Sequence, residues 1–196
     1  MAELAEIDRR DGRTEREMRA CEVSQGLLHR ADGSARWEAG GTRVLAAVHG
    51  PRWSHGPHSP DGLVLDLVIN GGVCSQSDES TLKAALLGSV EPLDHPRSNA
   101  LVALLVEYSD GSELACACNA AIAAIVDAGI SCPRPLTAAS LALFSPGLHV
   151  LDPTHEEEAN ARASACVTGA FVTLHGRGEP IITYVSKTSA YPCSHS

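Results

Sequence analysis

The chain has 196 residues, 44% hydrophobic, 20% charged and only 4% aromatic, with a formal net charge of −9. That balance predicts one compact domain with a core of small aliphatic side chains, and it excludes wholesale disorder and a membrane class. It also argues against an autonomous nucleic-acid binder, which needs a basic surface to displace counterions from phosphates. An acidic chain can still line a nucleic-acid path where partners supply the positive charge.

Residues 1–18 are expected to form a charged lead, dense in Glu, Asp and Arg and lacking the apolar run of a secretory signal. The domain is expected over 19–186 and a loose polar tail over 187–196. Residues 19–28 read as a short extended segment, and Ala31-Asp32-Gly33-Ser34 has the turn chemistry that makes a hairpin. Residues 34–38 alternate, Gly40-Gly41 punctuate, and 42–48 form a β-branched apolar strand ending at Gly50-Pro51. A Pro- and His-bearing loop over 51–62 precedes a strand over 63–69. Residues 78–93 form a helix with Leu82, Leu86 and Val90 on one face, limited by Pro92. A strand over 100–108, a turn over 109–112 and a small-residue helix over 114–128 ending at Gly129 come next. The rest reads as strands over 136–144, 148–151, 165–174 and 180–185, with an acidic loop between the second and third of these. The sum is an α+β fold of mixed sheets with two packed helices.

Seven cysteines, Cys21, Cys74, Cys116, Cys118, Cys132, Cys166 and Cys193, lack paired zinc spacing. They are expected as reduced, mostly buried thiols of a nuclear or cytoplasmic protein. Gly40-Gly41-Thr42 and Gly71-Gly72 are turn punctuation, since neither is followed by a phosphate-binding lysine. His55, His58 and His155 are not spaced as a helical zinc pair, and no metal or cofactor is expected. The sharpest chemical feature is the run Leu151-Asp152-Pro153-Thr154-His155-Glu156-Glu157-Glu158. Such carboxylates could hold a divalent cation or raise one another's pKa for acid–base work. They could equally form a solvated loop.

Several motifs occur in a fixed order: Ala20-Cys21-Glu22 to Leu27-Leu28, Ala31-Asp32-Gly33-Ser34-Ala35, and Gly41-Thr42-Arg43-Val44-Leu45-Ala46-Ala47-Val48 followed by Gly50-Pro51. His95-Pro96-Arg97-Ser98, Ser109-Asp110-Gly111-Ser112, Asn119-Ala120-Ala121 and Val126-Asp127-Ala128-Gly129-Ile130 continue it. From about residue 11 to about 170 the chain resembles the RNase PH-type subunits of the RNA exosome. Val150-Leu151-Asp152-Pro153-Thr154 and the run 101–121 are most similar to the ribosomal-RNA-processing forty-six type, with the forty-one type next. The resemblance implies the ribosomal protein S5 domain 2-type fold and a pseudo-hexameric ring of related subunits with cap subunits. It further implies RNA threaded through a central channel, a separate hydrolytic nuclease, and a place in the nucleus and nucleolus and also in the cytoplasm. The resemblance also implies a C-terminal helix, which is not expected in the residues that follow the 180–185 strand.

Active relatives hold phosphate with a Gly-Thr-Arg element after the Asp-Gly turn, where hydroxyl and guanidinium converge on the anion. Here that place reads Ser112-Glu113-Leu114, a carboxylate and an apolar residue. Two carboxylates carry the family's catalysis at the acidic strand end. Asp152 matches the first, and Glu158, longer by a methylene, stands at the second. Lys83 is the one basic residue of the first helix, so Lys83 and Arg97 are the RNA-contact candidates. A non-catalytic ring subunit is therefore the expected function. The alternative is a residual metal-dependent nuclease using Asp152, Glu157 and Glu158. A weak homodimer of the isolated chain is a further expectation.

Overall fold

A computed structural model describes residues 9–53, 62–72, 76–145, 148–161, 163–170 and 181–185. Nine strands and three α-helices are placed among them. The first sheet, sheet A, has the order β1-β2-β3-β5-β4, from β1 (Cys21–Gln25), β2 (Gly33–Ala39), β3 (Thr42–Trp53), β4 (Val64–Asn70) and β5 (Ser98–Tyr108). Its pairings are antiparallel except β4 with β5, which run parallel because α1 (Gln76–Ser89) crosses between them. Sheet B has the order β7-β6-β8-β9, all antiparallel, from β6 (Leu136–Ser145), β7 (Leu148–Leu151), β8 (Ala163–Ala170) and β9 (Ile181–Val185).

The helix α2 (Glu113–Asp127) joins the two sheets, packing on β2, β3 and β5 and on β6. Its small side chains make this possible: Ala117, Cys118, Ala120, Ala121 and Ala124 are wholly buried, so the backbones approach closely. Gly33 serves the same end, because a Cβ there would run into the main chain of Ala124 and Ala128. Alternation along β3 and β5 points Val44, Ala46, Val48, Val102 and Leu104 at α2, all fully buried. Leu82, Leu86 and Val90 bury the face of α1 and its C-terminal end, as their spacing predicts. Asn119 ties helix to sheet B, donating to the Ala138 carbonyl at 3.0 Å and accepting from its amide at 2.8 Å.

Two sequence expectations change. β3 does not stop at Gly50-Pro51 but runs through a register shift to Trp53, because a bulge absorbs the glycine and proline within the strand. The acidic loop is a helix, α3 (His155–Asn160), so the described residues hold three α-helices where two were expected. The charged lead is described from Arg9 onward, and there it packs into the domain: the Arg9 side chain is fully buried. β8 is described to Ala170, and the 171–174 part of the expected strand lies outside the described residues, as do the tail 187–196, His55 and His58. No helix among the described residues is long and apolar enough to cross a membrane.

Candidate functional site

Three segments meet at one end of α2: the turn 109–112, the strand end and helix over 151–160, and residues 9–19. The turn is held by Thr42, whose hydroxyl donates to the Gly111 carbonyl at 2.6 Å and accepts from the Asp110 amide at 2.9 Å. Gly111 sits at φ 81° directly against the main chain of Pro153 and Thr154, where any Cβ would collide. Ser112 caps α2 in the left-handed region, φ 57°, and its hydroxyl donates to the Pro153 carbonyl at 3.1 Å.

Asp152 is 4% exposed and likewise left-handed, φ 50°. Arg19 holds it at three points: the Arg19 amide and Nε each donate to Oδ2 at 2.9 Å, and Nη2 donates to Oδ1 at 2.7 Å. Burial works against the charged carboxylate, but the hydrogen bonds from Arg19 and its positive charge outweigh it and hold the pKa at about 2. The same pairing raises the Arg19 pKa against the effect of burial. Around this pair, Arg9 and Arg13 donate to the Asp152 carbonyl at 3.1 and 3.3 Å.

The glutamates that follow face different partners. Glu157 takes the Arg9 guanidinium at two points, 2.8 and 2.9 Å, and closes a capping box with Thr154. Glu156 pairs with Arg10 at the surface. Glu158 turns the other way and accepts from the Ser112 amide at the start of α2, at 2.9 Å. Burial raises its pKa, the Ser112 amide opposes that, and the nearby Glu113 carboxylate adds to it. Glu113 itself lies against Gly72, while Leu114 packs on the hydrophobic core.

The fold therefore gathers Asp152, Glu157, Glu158, Ser112 and Glu113 at one end, as their motif positions suggested, but does not converge the three carboxylates on one point. Among the described residues no group of three His, Cys, Asp or Glu side chains is placed to hold a metal ion. Lys83 is on α1, paired with Asp66 of β4 at 3.0 Å, and Arg97 is exposed ahead of β5. Sequence reasoning missed Arg9 and Arg13, because arginines in a charged lead look solvated, and Arg19, which directly follows that lead. The available signal was Arg19 standing two residues ahead of β1, the first strand of the ordered motif set.

The model of the 3′ exoribonuclease family, domain 1, matches residues 17–131. The chain belongs to the RNase PH family. It is 36% identical over 190 residues to the exosome complex exonuclease RRP46 homolog of Arabidopsis thaliana, covering 90% of this chain and 80% of that protein. The exosome complex component RRP41 of Mus musculus is 32% identical, covering 76% and 67%. The crystal structure of Rrp46 from rice, Oryza sativa, superposes with a TM-score of 0.78 at 33% identity, over 91% of this chain and 87% of that one. The RNase PH-type α+β fold and the forty-six-type likeness both stand.

Proposed function

We propose that the chain is a non-catalytic structural subunit of an RNA exosome ring. In this reading it sits among other RNase PH-type subunits under cap subunits, helps to form the channel through which RNA is threaded, and leaves hydrolysis to a separate nuclease. It acts in RNA processing and decay, in nucleus, nucleolus and cytoplasm. The names of its relatives support exosome membership; the plant relatives also carry the word exonuclease, so the silent site rests on this chain's own residues. One observation carries it: the carboxylate matching the family's catalytic acid is consumed in a buried pair with Arg19. Both Asp152 carboxylate oxygens are engaged by Arg19, which leaves the group fixed against its partner and not free to turn toward a substrate.

The anion place fails independently. The transition state of phosphorolysis gathers negative charge, and preorganised positive groups must meet it. Here the Ser112 amide already donates to Glu158, with Glu113 beside it, so an arriving phosphate meets two like charges. Arg97, and Lys83 once released from Asp66, remain the proposed RNA contacts. The metal-dependent nuclease is the weaker reading, since Asp152 and Glu157 each satisfy a guanidinium and Glu158 a backbone amide.

The test measures nucleoside diphosphates released from oligo(A) in added phosphate, for the wild type and a Glu113→Thr, Leu114→Arg double variant. No phosphate-dependent release by the wild type is expected. Release at the rate of an active family member would refute the silent site. Release by the double variant alone would locate the defect in the anion place, and none from either, with the double variant shown to be folded by its melt, would mean that Glu158 or the lack of arginines on the first helix is a separate defect.

A further inference from the structure

We draw no further inference here: the strongest candidate, the apolar face of sheet A turned away from α2, where Leu45, Leu101, Leu105 and Val68 lie on adjacent strands, carries nothing, because nothing in the structure shows what covers it.

Discussion

Arg19 and Asp152 form an ion pair at 2.7 Å with both side chains buried. Removing one partner of a buried ion pair leaves the other uncompensated, which costs about 3–5 kcal/mol, so Arg19→Ala should lower stability in urea titrations by that order. The sign with pH follows from the depressed pKa. The Asp152 contribution is full above the ordinary carboxylate range and is lost as pH falls toward its folded value of about 2. The deficit of Arg19→Ala should therefore be largest at neutral pH and shrink in acid, as the unpaired Asp152 takes a proton. A deficit constant from pH 7 to the acid limit would show that lost packing, not charge, explains it. Glu158 runs in the opposite sense: burial, with the Glu113 charge adding to it, raises its pKa, so its contribution to stability is lost as pH rises through its titration.

At the scale of elements, periodicity made most of the fold legible. Leu82, Leu86 and Val90 marked α1, the Ala- and Cys-rich run marked α2, and β-branched runs marked β3, β4 and β5. The acidic stretch was misread because three consecutive glutamates suggest solvation, whereas Thr154 followed three residues later by Glu157 is a helix-start pattern. The structure forms both of its hydrogen bonds. Thr154→Ala should cost about 1 kcal/mol by loss of that cap, read as a shift of the urea midpoint at unchanged slope. No loss would mean that Arg9, through Glu157, fixes α3 without it. The positions of the site carboxylates were legible from motif order; their partners were not, since Arg9 and Arg19 reach Glu157 and Asp152 across more than 130 residues of chain, a pairing that no local pattern encodes.

For the whole molecule, small side chains and few aromatics fit a domain whose two sheets are clasped by one helix. A partner that binds only the folded chain stabilises it by mass action. The measurement that tests the structural-subunit claim most directly is the thermal melt of the purified chain, alone and mixed with each RNase PH-type subunit of its own cell, with native mass spectrometry on the same samples. A monomer or weak dimer alone is expected, with a rise in Tm of about 5 °C or more and a new heteromeric species with one of those subunits. A stable monomer whose melt and mass are indifferent to every one of them would contradict the account.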